Sequence, residues 1–314
     1  MAEHAQYFID DKSRRIYKAK QIVRNVLIYA FLTLFALFLV APFILMIWGS
    51  FVKESSFQDF TTLGHFEALF DFGFENFDRV FHTTLGSGTG TFAVFFLNTL
   101  IVAVCSTTVT VVTAVLAGFA FARLEFKGKE ALFAILLATM MIPGEMMVIT
   151  NYATVIKINW TNTFAALILV HGVSVFYVFY LRQTFQQIPN ELYLAAKVDG
   201  VSDIGYLWKV MIPIAMPTIT TIIILSMMGS WNSYIWPDLV AKGSWRFGKE
   251  YLGIDHSMML VSAGLRALFE REGSSQGDAL KLAGSMVISM PLFIVFICFR
   301  KYIMKGVSRS GIKG

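Results

Sequence analysis

Val26-Leu27-Ile28-Tyr29-Ala30-Phe31-Leu32-Thr33-Leu34-Phe35-Ala36-Leu37-Phe38-Leu39-Val40-Ala41-Pro42-Phe43-Ile44-Leu45-Met46-Ile47-Trp48 is an unbroken, uncharged apolar run. A helix that crosses a bilayer needs about 20 such residues. The run is too long for the core of a signal peptide, and no small-x-small cleavage site follows it. Gly49-Ser50-Phe51 leads instead to Lys53 and Glu54. It reads as a retained membrane helix.

The rest of the chain agrees with that opening. Of 314 residues, 56% are apolar and 15% charged, against roughly 25% charged in an average soluble domain. Such a balance excludes an ordinary water-soluble enzyme and a disordered chain. The net charge of +5 is too small to mark a nucleic-acid binder. Two cysteines, Cys105 and Cys298, build neither a disulfide framework nor a cysteine-rich metal site. Both fall in apolar runs and read as small core residues.

Further runs lie at 93–118, 131–149, 164–180, 213–236 and 282–303, so the expected fold is an all-α integral membrane protein of six transmembrane helices. Pro42, Pro143, Pro217 and Pro291 fall within or beside them and read as kinks. An even number of spans puts both termini on one side. Seventeen Lys and Arg residues fall in the segment before span one, the second-to-third and fourth-to-fifth connections and the tail. Eight fall in the longer opposite loops. The positive-inside rule makes the first set cytoplasmic. The organisation expected is a basic cytoplasmic segment at 1–25, a transmembrane domain at 26–303 and a cytoplasmic tail at 304–314. The basic start could also touch anionic lipid. Residues 49–92 and 237–281 are then the large outer loops. Gly86-Ser87-Gly88-Thr89-Gly90 lacks the Gly-Lys-Ser/Thr ending of a phosphate loop and reads as a turn.

The fourth-to-fifth connection, 182–212, is far longer than the two to eight residues usual between packed helices. Pro189-Asn190 is a helix start, with Asn190 placed to cap. Asp199-Gly200 ends that helix, and Ser202 can cap a second. Ile204, Leu207, Trp208, Met211 and Ile212 then form one apolar stripe at helical spacing, with Asp203, Gly205, Tyr206 and Lys209 off it. The segment reads as a cytoplasmic helix–turn–helix that either lies on lipid or docks a partner.

Leu194-Ala195-Ala196, three residues, Gly200, nine residues and Val210-x-Ile212-Pro213 resemble the Glu-Ala-Ala loop of ATP-binding-cassette importer permeases. Ile188-Pro189-Asn190-Glu191-Leu192, Trp231-Asn232-x4-Pro237 and Gly306-x4-Gly311-x-Lys313-Gly314 are similar to the carbohydrate-uptake, maltose-permease branch. Asn98-Thr99, Phe121-Ala122-Arg123 and Met141-Ile142-Pro143 are weaker likenesses. The motif glutamate is Leu194 here. Glu191, three residues earlier on the same helical face, either substitutes for that charge or is merely favourable in a first turn. The resemblance implies ATPase contact through Glu191, Leu194, Ala195, Ala196, Asp199, Gly200, Val201, Ser202, Asp203 and Gly205. It also implies a second homologous permease, two ATPase subunits carrying ATP and Mg, an extracytoplasmic substrate-binding protein and a bacterial or archaeal cell membrane. The chain itself would bind no cofactor, metal or nucleic acid. The substrate class implied is a sugar or oligosaccharide, or a related polyol or glycerophosphodiester.

No Walker A lysine loop or His-Glu-x-x-His motif is present, and the five histidines are scattered. His171 falls within span four and is expected either to bond a neighbouring helix or to face a polar cavity. Glu145, Asn232 and Tyr234 are the candidates for a substrate path, because intramembrane polar groups face protein or water. Tyr152, Tyr234 and Trp236 otherwise read as an interfacial aromatic belt. A secondary transporter is the alternative, yet only one in-span carboxylate and no clear repeat support it. A membrane-embedded hydrolase lacks a convergent catalytic set.

Overall fold

A computed structural model of the chain describes residues 11–82, 84–85, 90–252, 256–271 and 277–308. The start of the expected 1–25 segment, the end of the 304–314 tail and most of the glycine turn at 86–90 lie outside the described residues. The chain is almost wholly helical. Helix α1 (Asp11–Phe51) is followed by α2 (Glu54–Leu63), a 3₁₀ turn (Phe66–Phe70) and α3 (Glu75–His82). The two-residue strands β1 (Thr84–Leu85) and β2 (Gly90–Thr91) pair antiparallel, a small departure from an all-α expectation. Next come α4 (Phe92–Arg123), α5 (Lys129–Thr139), α6 (Gly144–Lys157), α7 (Phe164–Ile168) and α8 (Val175–Gln186). The 182–212 connection holds α9 (Asn190–Val198), α10 (Asp203–Tyr206) and a π turn (Leu207–Met211). The chain ends with α11 (Ile212–Trp231), α12 (Ile235–Val240), α13 (Val261–Arg271) and α14 (Asp278–Ser308).

Among the described residues, four helices are long and apolar enough to cross a membrane: Ile16–Phe51, Phe92–Arg123, Asp203–Trp231 and Asp278–Arg300. The remaining two expected spans are not continuous helices. Helices α5 and α6 meet at 93°, and count as a fifth crossing only if the pair is one span. The break falls where Pro143 can donate no backbone hydrogen bond. The run at 164–180 divides into α7 and α8. Ser174 accepts a bond from Tyr177 N and so starts a new helix. Gly172 sits so tightly that a Cβ would lie 2.8 Å from Val109 Cγ1.

Helices α4, α8 and α11 form the centre, and α14 packs against α1 and α11. Gly118 permits the close approach of α4 to α8: a Cβ there would stand 3.0 Å from Leu181 Cβ and 3.3 Å from Arg182 N. At one end the core joins Ala114, Val115 and Phe119 to Val178, Leu181 and Phe185, with Ala215, Ile219 and Ile222 of α11. Tyr206, Leu207 and Met211 of the connection enter the same core and are fully buried. Burial of Leu207 or Met211 from water is worth about 1.5–3 kcal/mol each. Helix α1 exposes an almost complete apolar surface, from Val26 to Ile47, as a lipid-facing helix must. The sequence reading placed Cys105 and Cys298 in the core, but both are exposed, on α4 and α14. A thiol is small and apolar enough for either setting.

Candidate functional site

The connection between α8 and α11 is built from local signals. Helix α9 ends at Asp199. Gly200 follows with φ +72°, Gly200 N donates to Lys197 O at 3.1 Å, and Val201 N donates to Ala196 O at 2.9 Å. This is a Schellman turn, which needs a left-handed residue at that point. Ser202 Oγ accepts from Gly205 N at 3.1 Å and caps α10, as expected. Tyr193 Oη donates to Asp203 Oδ1 at 2.7 Å, and Lys197 Nζ meets the same oxygen at 2.7 Å. These bonds tie the second helix back to the first. The Lys197 ammonium and then the Tyr193 hydroxyl hold the Asp203 carboxyl below the usual carboxylate range. The Asp203 bond likewise raises Lys197. Burial, then the same bond, raises the Tyr193 phenol.

Two sequence expectations change here. Asn190 does not cap α9. Pro189 occupies the cap position, Asn190 is already helical, and its Oδ1 faces Arg123 at 3.4 Å. The inward stripe is also different. Tyr206, Leu207 and Met211 are buried, whereas Ile204 is 67% exposed and Trp208 65%. The π turn at Leu207–Met211 adds a residue to the helical turn and rotates the inward face off a 3.6-residue stripe.

The outward face of the connection is continuous. Glu191, Leu194, Ala195, Asp199, Gly200, Ser202 and Ile204 are all exposed; Ala196, Val201, Asp203 and Gly205 are half-buried behind them. A Cβ at Gly200 would meet nothing within 4 Å, so the turn opens onto free space. The patch mixes apolar and small polar groups, with Val198 88% exposed at its edge.

The three path residues are only partly brought together. Asn232 and Tyr234 line one open cavity of about 440 Å³ with Trp231, Ser262, Leu265 and Arg266. There Asn232 Nδ2 donates to Met228 O at 3.0 Å and closes the end of α11, and Arg266 reaches the Tyr234 hydroxyl. Glu145 is exposed in the first turn of α6, where a carboxylate favours the helix N-terminus, and is not among those lining residues.

A second cavity of about 290 Å³ lies between α4, α7, α8 and α11. Ser106 and Thr110 of α4 face Ser226, Ser230 and Ser233 across it, with Ser174 and Tyr177 beside them. His171 also lines it and sets its ring edge against Trp236, centroids 5.1 Å apart. Trp236 is fixed by a 3.0 Å bond from Nε1 to Ala166 O. The Ser106 hydroxyl is buried without a hydrogen-bond partner. Hydroxyls both donate and accept, so this cavity can bind a polyhydroxylated molecule. The sequence reading missed it, although Ser226, Gly229, Ser230 and Ser233 recur at i, i+3, i+4 and i+7 within an apolar run.

Comparison with known proteins fits this architecture. Residues 111–309 match the family described as binding-protein-dependent transport system inner membrane component. The arabinooligosaccharides transport system permease protein AraQ of Halalkalibacterium halodurans is 30% identical over 225 residues, 72% of this chain and 76% of that protein. The polygalacturonan/rhamnogalacturonan transport system permease protein YtcP of Bacillus subtilis is 28% identical over 295 residues, covering 92% and 98%. The fold resembles a chain of a bacterial ABC transporter involved in the import of the acidic polysaccharide alginate. The TM-score is 0.67 at 21% identity, covering 94% of this chain and 99% of that one. Such proteins are non-catalytic transport subunits. With its apolar helices, its helix–turn–helix connection and these relatives, the chain belongs to the family of inner membrane permease components of binding-protein-dependent ABC importers, in the carbohydrate-uptake branch.

Proposed function

We propose that this chain forms half of the translocation path of an ATP-driven importer for a sugar or oligosaccharide. It pairs with a second, homologous permease. Two ATPase subunits holding ATP and Mg bind the cytoplasmic face, and an extracytoplasmic protein delivers substrate from outside. Both termini and residues 182–212 are cytoplasmic, and residues 49–92 and 237–281 are outside. The broken pairs α5–α6 and α7–α8 serve as the third and fourth of six spans in a cell membrane.

The observation that carries the proposal is the exposed, internally bonded turn at Asp199–Gly205 whose following residues are anchored in the core. A docking element of that kind can be pushed without deforming. Glu191, Leu194, Ala195, Ala196, Asp199, Gly200, Val201, Ser202, Asp203 and Gly205 present it to an ATPase groove. Closure of the ATPase pair moves it, and Pro213 passes the movement into α11. The hydroxyl-lined cavity around Ser230 lies on that same helix and gives sugar hydroxyls their partners. Asn232 and Tyr234 stand nearer its outer end; Glu145 is the third path candidate. The family match favours this reading over a transporter that works without an ATPase.

The test is reconstitution in proteoliposomes with the second permease, the ATPase subunits and the binding protein. Uptake is expected only with ATP and binding protein together. Ser230→Leu, which fills the cavity, abolishes uptake while the ATPase subunits stay bound. Uptake by this chain alone would refute the ATP-driven reading. Cysteine labelling near Gly200 only from outside would refute the topology.

A further inference from the structure

The inner ends of α4, α5, α8 and α9 meet around two arginines. Arg123 is the last residue of α4. Its guanidinium donates to Phe185 O at 2.9 Å and also to Ile188 O, and a second nitrogen reaches Asn190 Oδ1 at 3.4 Å. These acceptors belong to the end of α8 and the first residue of α9. Carbonyls at a helix end lack partners within the helix, and the following Pro189 has no N–H to offer.

Arg182 makes the reciprocal link from α8. It is buried, with 8% exposure. Its Nη2 lies 3.0 Å from both carboxylate oxygens of Glu130 in the first turn of α5, and its Nε donates to Phe121 O of α4 at 3.2 Å. The guanidinium also lies 4.0 Å above the Phe133 ring of α5. One arginine thus runs from α4 to the α8–α9 junction, and the other runs from α8 back to α4 and α5.

We propose that Arg123 and Arg182 form a cross-brace that makes α9 move as one body with the inner ends of α4 and α5. The inference rests on the coupling role proposed above and extends it. Along the chain, a push on α9 leads only backward to α8 and forward through Pro213 to α11. The brace adds a lateral route into α4, which lines the hydroxyl cavity through Ser106 and Thr110, and into the 93° bend between α5 and α6. Coupling travels through packed, bonded elements of this kind. Both are positioning residues. Each planar guanidinium fork donates from two separate nitrogens to acceptors on different elements, whereas an ammonium carries its three donors on one atom, so Lys at either place keeps the charge and weakens the brace.

The experiment uses the complete importer with its second permease, ATPase subunits and binding protein, in a Cys105→Ser, Cys298→Ser background. Spin labels are placed at Lys127 and Leu192, both exposed beside the brace. The expected result is one inter-label distance, the same in nucleotide-free and ATP-bound complexes. Arg123→Lys broadens that distance and lowers uptake per ATP hydrolysed by about two- to thirty-fold, with the ATPase subunits still bound. Arg182→Lys acts in the same direction, and Asn190→Ala, which spares both arginines, gives a smaller loss and guards against a misfolded variant. Wild-type values for Arg123→Lys in both readouts would overturn the proposal. So would a wild-type distance that changes with nucleotide. Failure of the docking reading is separate: it shows as full ATPase retention and stimulated turnover in Gly200→Val.

Discussion

The 182–212 connection of this permease and its loops at 49–92 and 237–281 are held by different balances of local and distant bonds. The turn at 199–205 is closed by the Schellman bonds around Gly200, the Ser202 cap and the Tyr193–Asp203–Lys197 cluster, all between residues close in sequence. The loops at 49–92 and 237–281 have backbone bridges of their own, Val52–Phe72 and Ser244–Ser257, and are tied to the helices by side chains from distant parts of the sequence. Asn98 of α4 donates to Ser257 O at 2.7 Å and Met259 O at 3.1 Å, and Thr99 Oγ1 accepts from Val261 N at 2.8 Å. Glu54 accepts from Leu280 N at the start of α14, and Asn76 donates to Ser50 O and Val52 O. A locally closed unit stays rigid when its surroundings move. A strap bonded at a few distant points follows whichever span carries the donor. The first suits the coupling role proposed for the 182–212 connection.

The sharpest way to break the contrast is Asn98→Leu. It removes both donors and leaves two buried carbonyls unpaired, at a cost of about 2–4 kcal/mol. Thermal unfolding in nanodiscs is expected to shift clearly downward, with protease sensitivity appearing near residues 256–261 and the 190–206 turn intact. Gly200→Val acts on the other region. A β-branched residue at φ +72° costs about 1–2 kcal/mol, so global stability changes less while ATPase co-purification and uptake fall together. Ser202→Ala removes the cap of a four-residue helix for about 1 kcal/mol. Hydrogen exchange is expected to rise at Gly205 and Tyr206 and to stay unchanged at Met259 and Val261.

The smallest effect concerns pH at the Lys53–Asp71 pair. Lys53 Nζ lies 2.8 Å from Asp71 Oδ1. Bonds from Lys53 and then Ser56 depress the Asp71 carboxyl, and the Asp71 bond raises the Lys53 ammonium. The Asp71 contribution is present above its unfolded pKa and lost as pH falls through the depressed folded value. That of Lys53 is present below its unfolded pKa and lost as pH rises through the raised folded value. Exchange protection of the Val52–Phe72 bridge is therefore expected to be flat near neutrality and to fall at both extremes. Asp71→Asn removes the acid limb. Both groups are exposed, so the change is small.

Sequence alone determined the class of protein, four of its membrane helices and the start of the 182–212 unit. Apolar length, Pro189, Gly200 and Ser202 act within a turn or two, so their consequences are local and legible. The resemblance at Ala195-Ala196-x3-Gly200 carried the family for the same reason. Tertiary structure decided the rest. The π turn set which of Tyr206, Ile204 and Trp208 faces inward, a register that a 3.6-residue count cannot contain. Packing of Gly172 against α4 and the bend at Pro143 divided two spans that hydropathy reads as whole. Ser106, Thr110, Ser230 and Ser233 became one cavity only when α4 and α11 were laid together. Arg123 and Arg182, plain topology charges in one dimension, became a brace because four helix ends meet around them in three.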